Sequence, residues 1–217
     1  MPEIPKILHA CWFGDAEMSR LNHRCMESWR ENCPDFEIKI WKDDSLDLSD
    51  PVIADLYRRR KWAFLTDFKR FEILRDVGGI YLDTDMEFVR PLPAEFTSSG
   101  VFFGKESKKW VSAGIIGAQK GHAFVGEILD RVRETAERGV LVELPKIVTR
   151  QLAQNPQDDI LIAPKEVFYP YNPYDADDPR PQLMYRDVTD ATICIHHWEK
   201  TWKLTLLERM KRKLSRA

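Results

Sequence analysis

The chain has few cysteines, no surplus of either charge and no long apolar run, and each shortage removes a class of function. Its four cysteines, Cys11, Cys25, Cys33 and Cys194, form no C-x-x-C pair. Neither a zinc site nor a dithiol redox motif is indicated, and the residues read as reduced thiols of a cytosolic protein. A formal net charge of −2 gives no electrostatic case for nucleic acid as a partner. No apolar stretch reaches the roughly 20 residues of a membrane span. The start, Met1-Pro2-Glu3-Ile4-Pro5-Lys6, lacks the basic opening and apolar core of a signal peptide. Internal repeats and dividing linkers are also missing. What remains is 217 residues, 43% of them hydrophobic. That suits one domain over residues 1–217 with a sizeable core, in a soluble cytoplasmic protein.

Apolar periodicity places the elements. Lys6–Phe13 reads as a buried strand, Ser19 to Cys33 as a helix stopped by Pro34, and Phe36–Trp41 as an alternating strand. Asp50-Pro51 opens a second helix with an N-cap and a proline at its first position. A third runs from Trp62 to Val77 and is closed by Gly78-Gly79. Strands follow at Val101–Phe103 and Ala113–Ala118, helices at His122–Arg138 and Pro145–Ala153, and strands at Ile160–Ile162 and Thr192–His196. His122 reads as a helix-start residue without a chemical role. The segment from Phe168 to Pro181 is rich in proline, tyrosine and aspartate and reads as an ordered surface loop. The early alternation of strands and helices predicts an α/β fold with a mostly parallel central sheet flanked by helices.

Two places carry chemistry. Gly78-Gly79-Ile80-Tyr81-Leu82-Asp83-Thr84-Asp85 ends an apolar strand in two carboxylates two positions apart. On an extended chain these project to the same side, a placement suited to Mg²⁺ or Mn²⁺. A metal so held neutralises a departing diphosphate; the bland alternative is a turn with two solvated acids. The helix just before it carries an apolar stripe of Phe64, Phe68, Phe71, Leu74 and Val77, and Asp67 and Arg70 fall inside that stripe. Charges aimed at the core need partners. Either they satisfy each other as a structural ion pair, or Asp67 points to sugar or ribose hydroxyls and Arg70 to sugar or phosphate oxygens.

Three ordered motifs together resemble glycosyltransferase family 32, which includes capsular-polysaccharide sugar transferases and mannosyltransferase relatives; the glucosylating domains of large bacterial toxins are similar in the same places. The motifs are Ile4–His9 leading to Trp12-Phe13-Gly14, then Ala63–Arg70 with Gly78–Asp85, and His196-His197-Trp198 to Trp202. The resemblance implies a GT-A type nucleotide-sugar-binding fold, a divalent cofactor (Mn²⁺, or Mg²⁺), a nucleoside diphosphate sugar donor (UDP the commoner choice), and retention of configuration. It implies a glycan or glycolipid acceptor in surface-polysaccharide or glycolipid synthesis. Asp67, Arg70, Asp83 and Asp85 match sugar- and metal-contacting positions. Trp12 matches the residue that stacks the donor's base, against a core role; Tyr81 is placed to contact the nucleotide or to stay buried in its strand. Trp202 matches a tryptophan at the leaving diphosphate, against simple packing. Neighbours on a strand point opposite ways, so one of His196 and His197 is expected at the metal; spacing from Trp202 favours His197, with His196 the fallback. Ser112 stands where relatives often carry asparagine, and Thr201 replaces a usual serine.

Two other functions compete. A haloacid-dehalogenase-type phosphatase would need Gly-Thr after its D-x-D, whereas Met86-Glu87 follows Asp85. A non-catalytic nucleotide-sugar-binding module would not need Asp67, Arg70, Asp83 and Asp85 all intact. The terminal stretch 203–216 reads as a basic helix that could lie on an anionic membrane at its inner face, or pack by its leucines on the domain.

Overall fold

The computed structural model describes residues 3–140 and 142–199; Trp202 and the basic stretch 203–216 lie outside them. Among the described residues no helix is long and apolar enough to cross a membrane. Strands β1 (Ile7–Cys11), β2 (Glu37–Trp41), β3 (Gly79–Leu82), β5 (Val101–Lys105), β6 (Val111–Ala118) and β7 (Ile160–Ala163) form a six-stranded sheet ordered β2-β1-β3-β6-β5-β7. A second sheet pairs β4 (Met86–Phe88) with β8 (Cys194–His196). The helices are α1 (Arg20–Asn32), α2 (Pro51–Arg58), α3 (Trp62–Asp76), α4 (Ala94–Thr97), α5 (Ala123–Glu137), α6 (Leu144–Gln154) and α7 (Lys165–Phe168). The pairings β1–β2, β1–β3 and β5–β7 are parallel, and β6 runs antiparallel to both its neighbours. The expected α/β sheet is therefore mixed, with the antiparallel β6 carrying its first residues to the same edge as the end of β3.

Local chemistry accounts for the element ends. Ser19 caps α1, accepting from the Asn22 N–H, while Asn22 returns a bond to the Ser19 N–H, a reciprocal pair that satisfies two orphan donors. Asp50 caps α2 ahead of Pro51. His122 does cap α5. The cores on the two sheet faces differ. Residues of α2, α3, α5 and α6 build one. The other joins α1, the small sheet, α4 and α7. Trp29, wholly buried, donates to the Met86 carbonyl at 2.6 Å and so fastens α1 to β4.

The Phe168–Pro181 segment departs in part from expectation. Phe168 and Tyr169 are 0% and 1% exposed, and Tyr171, Asn172 and Asp175 are also buried. The second half of the segment is the expected surface loop, with Tyr174 53% exposed, but in its first half the rings of Phe168 and Tyr169 fill the second core beside β8, which there outweighs turn propensity. Strand β4 had no local signal. Three residues become a strand only because β8, more than a hundred positions later, supplies the partner.

One buried histidine sets the entry to β3. His9 is 0% exposed; its Nε2 lies 2.9 Å from the Gly78 carbonyl oxygen and its Nδ1 accepts from Trp41 Nε1 at 3.1 Å. That pairing assigns the proton to Nε2. Gly79 adopts φ +103, and a Cβ there would stand 2.8 Å from both His9 Nε2 and the Ile7 oxygen, so only glycine fits. Burial lowers the His9 pKa to about 4. The unfolded chain takes up this proton near pH 6.5 and the folded one only near 4, so stability is full above 6.5 and falls as the pH drops through that window. The loss expected is about 3 kcal/mol by pH 4. Denaturant unfolding at pH 7 and pH 5 should show this slope, and His9→Gln, which can keep both hydrogen bonds, should flatten it.

Candidate active site

Asp83 and Asp85 do not stand on an extended strand. β3 ends at Leu82, and Asp83-Thr84-Asp85 makes a turn closed by the Met86 N–H donating to the Asp83 carbonyl at 3.0 Å. The Asp83 N–H donates to the Gly114 oxygen at 2.7 Å, fixing the turn to β6. Convergence survives by a different route, because β4 and β8 pair Met86 with His196. His196 Nε2 then lies 3.2 Å from Asp85 Oδ1. Ligand atoms of Asp83, Asp85 and His196 all fall within 4.8 Å of one another.

His197, the residue favoured for the metal, faces the other way. Its Nε2 sits 2.7 Å from Glu87 Oε2, and only its backbone N–H reaches the turn, at the Asp85 carbonyl. Neighbours in extended backbone face opposite ways, and His196, the last residue of β8, is the one that lies beside the two aspartates. Manganese titrations followed by spin resonance should find His196→Ala weakened by at least about tenfold. His197→Ala should bind within about twofold of the parent, and a reversed order would return the ligand role to His197.

Arg70 links this cluster to α3. One guanidinium nitrogen lies 2.9 Å from Asp67 Oδ1 and 3.2 Å from Asp83 Oδ1. Another donates to the Ala113 carbonyl at 2.5 Å, and the group lies over the Tyr81 ring at 4.5 Å. The ion pair read from the helix wheel is thus present but not closed on itself, since Arg70 also reaches Asp83. Tyr81 is 1% exposed and donates its hydroxyl to Asp83 Oδ1 at 3.2 Å. It supports an aspartate and is not open to a nucleotide. Asp67 also lines a narrow apolar crevice with Phe64, Phe68, Leu144 and Ile147. Trp12, half-buried just past β1, commits its indole N–H to the Ala16 carbonyl.

Burial raises the carboxyls of Asp83 and Asp67, the latter to about 6, while Arg70 pulls both down. Burial would also raise Asp85, but the charge and hydrogen bond of His196 and the Glu199 N–H outweigh it and hold Asp85 below the usual carboxylate range. His196 gains the mirror effect: burial lowers it, Asp85 lifts it more. Two carboxylates and an imidazole nitrogen form a donor set suited to a divalent ion such as Mn²⁺. His196 Nδ1 is buried with no hydrogen-bond partner among the described residues. Gly114 leaves a notch beside the triad, where a Cβ would sit 3.1 Å from both Asp83 Oδ2 and Tyr169 Oη.

Residues 19–102 match the family model described as a glycosyltransferase sugar-binding region containing a DXD motif. That stretch holds Asp67, Arg70, Asp83 and Asp85. The chain is also 28% identical over 193 residues to an uncharacterized glycosyltransferase of Acanthamoeba polyphaga mimivirus, across 79% of this chain and 75% of that protein. The chain is a glycosyltransferase with a DXD-type sugar-binding region. A second relative, alpha-1,4-N-acetylglucosaminyltransferase of Homo sapiens, is 30% identical over 95 residues, 43% of this chain. This glycosyltransferase spans only 26% of that human protein's length. Among solved structures, the PaToxG glycosyltransferase superposes with a TM-score of 0.57 at 20% identity, covering 70% of each chain. That likeness carries the GT-A fold. The phosphatase alternative is set aside by the sugar-binding-region match over residues 19–102.

Several residues of the transferase's site gave no sequence signal, and one neighbour of theirs, Trp198, reads only as part of the C-terminal motif. The Glu199 N–H donates to Asp85 Oδ2 at 2.7 Å, while its carboxylate accepts from Ser19 Oγ at 2.9 Å and Asn22 Nδ2 at 3.0 Å. Asn22 also reaches Thr84 within the turn. The start of α1 therefore clasps the D-x-D turn and the segment after β8 together. Trp198, at φ +58, packs its ring 4.2 Å from His196 and donates to the Tyr171 carbonyl. These contacts join residues up to 180 positions apart, beyond the reach of any local pattern.

Proposed function

We propose that the protein moves a sugar from a nucleoside diphosphate sugar, a UDP-sugar first among them, to a hydroxyl of a glycan or glycolipid, with retention of configuration. The observation that supports this most is the convergence of Asp83, Asp85 and His196 within 4.8 Å. These three would hold Mn²⁺ or Mg²⁺, whose charge balances that of a diphosphate.

The remaining work belongs to the chain's own side chains. Arg70, held by Asp67, Asp83 and the Ala113 carbonyl, faces the same cluster and offers fixed positive charge to the leaving phosphate. Its position is set before substrate arrives, so little reorganisation accompanies the reaction. Asp67 accepts hydrogen bonds from the donor sugar and orients it. Trp12 offers an indole near the end of β1 for the base to stack upon. Among these residues none is placed as a nucleophile on the sugar, which agrees with a front-face transfer.

A panel of common sugar nucleotides with Mn²⁺, assayed for hydrolysis and binding, tests the reading. Hydrolysis of one donor that ceases on chelation supports it. Neither binding nor cleavage of any donor sinks it.

A further inference from the structure

We propose that Trp198 is a positioning residue for the metal site: its indole ring packs on the His196 imidazole and keeps it aimed at Asp83 and Asp85. This rests on the metal-dependent transfer proposed above and gives the third ligand of that site its support.

A histidine that ligates an ion usually donates its second ring N–H to a carboxylate, a carbonyl or water, which fixes the orientation of the ring. His196 departs from that rule. Its Nε2 lies 3.2 Å from Asp85 Oδ1, so Nε2 is the nitrogen on offer. Nδ1 is buried without a hydrogen-bond partner among the described residues. Pairing with Met86 fixes the backbone of His196 but not its imidazole, because the torsion that turns such a ring is soft. The bond to Asp85 cannot do the orienting either, since a nitrogen that gives its lone pair to an ion has no proton left to donate.

Packing supplies what hydrogen bonding does not. The Trp198 ring stands 4.2 Å from the imidazole, tilted by 40°, and Tyr169 meets the imidazole edge-on at 5.7 Å. Aromatic pairs of this kind carry directional preferences beyond the area they bury. Both partners are anchored in turn. The Tyr169 hydroxyl accepts from the Ile115 N–H on β6 at 3.1 Å. Trp198 Nε1 donates to the Tyr171 carbonyl at 2.9 Å, and the Tyr171 hydroxyl donates to the His197 carbonyl at 3.0 Å. This reciprocal clasp leaves the indole little freedom.

The backbone points the same way. Trp198 sits at φ +58, a left-handed conformation that is unusual for a bulky residue and persists only where its surroundings over-determine it. Around that bend the His196 ring, the His197 N–H and the Glu199 N–H all meet Asp85. The strained residue thus lies in the middle of the segment that wraps the D-x-D turn.

Manganese titrations and electron spin-echo spectra test the role without any turnover. The parent should show a nitrogen coupling that His196→Ala abolishes. Trp198→Leu removes the ring and should lose that coupling, with manganese affinity down about tenfold. Trp198→Phe keeps a ring but not the bond to Tyr171, and should retain the coupling with an affinity within about threefold of the parent. Added to His196→Ala, Trp198→Leu should cost less than about twofold more, because the ring it positions is already gone. Should Trp198→Leu not fold, Trp198→Gly, which removes the ring while relieving the left-handed backbone, takes its place with the same expectations. Parental affinity and coupling in the ringless variant would overturn the inference. Equal losses in Trp198→Phe would do so too, as would a full further loss on the His196→Ala background. A parent that binds manganese without a nitrogen coupling would remove His196 from the metal, and this inference with it, while leaving the two aspartates in place. A parent that binds no manganese would instead fail the metal-dependent reading itself.

Discussion

Asp85→Asn is expected to reduce manganese-dependent hydrolysis of the donor by at least about 10³-fold, the equivalent of roughly 4 kcal/mol of lost transition-state stabilisation. Asp85 is the junction of the site. One carboxylate oxygen meets His196 Nε2, the other takes the Glu199 N–H, and its carbonyl takes the His197 N–H. Asparagine keeps the shape and can still accept from Glu199, so the melting temperature should move by no more than a few degrees. Alanine removes the acceptor as well and leaves His196 with neither ring nitrogen partnered, so Asp85→Ala should lose both activity and stability. Comparing the pair separates the charge from the scaffold. Parental hydrolysis in Asp85→Asn, still dependent on manganese, would remove the metal role of the D-x-D turn.

Arg70→Ala is expected to destabilise the fold by about 3–5 kcal/mol, because it strips the partner from two partly or wholly desolvated carboxylates. For a chain of this size that is a drop of roughly 6–20 °C in melting temperature. The guanidinium carries more than one task. It joins Asp67 on α3 to Asp83 after β3, donates to Ala113 on β6 and covers the Tyr81 ring. Without it Asp83 and Asp67 repel across a buried gap, so their carboxyls should titrate higher. Manganese supplies positive charge to the same cluster and should restore part of the lost stability to the variant, more than it adds to the parent. Calorimetry with and without metal reads both effects. A variant that melts within 1 °C of the parent would show that the network is not structural.

These two expectations draw on different levels of legibility. Asp83, Asp85, Asp67 and Arg70 could be found along the chain because each violates a local rule. Carboxylates end an apolar strand, and charges sit inside an apolar helical stripe. The first strand, the capped helices and Gly78-Gly79 ahead of β3 were equally local, being set by periodicity and cap chemistry over a few residues. Local rules misled where packing outweighs them. The proline- and tyrosine-rich stretch after Phe168 reads as a surface loop by composition, yet its first rings, Tyr169 and Tyr171, are buried.

By itself the sequence determined the order of the main-sheet strands and of the longer helices, the α/β class, the place of the D-x-D motif and the family that the motif resembles, since all of these depend on neighbours close in the chain. Only the tertiary structure decided that the aspartates lie in a turn, that His196 and not His197 joins them, and that Arg70 bridges Asp67 to Asp83. It alone brought Glu199, Ser19 and Asn22 around the turn, and Tyr169 to the Gly114 notch beside it. The reason is physical: strand pairing between β4 and β8 and burial against two separate cores choose which face each side chain presents. Such a choice is made between segments a hundred or more residues apart, where no repeat or spacing carries a record of it.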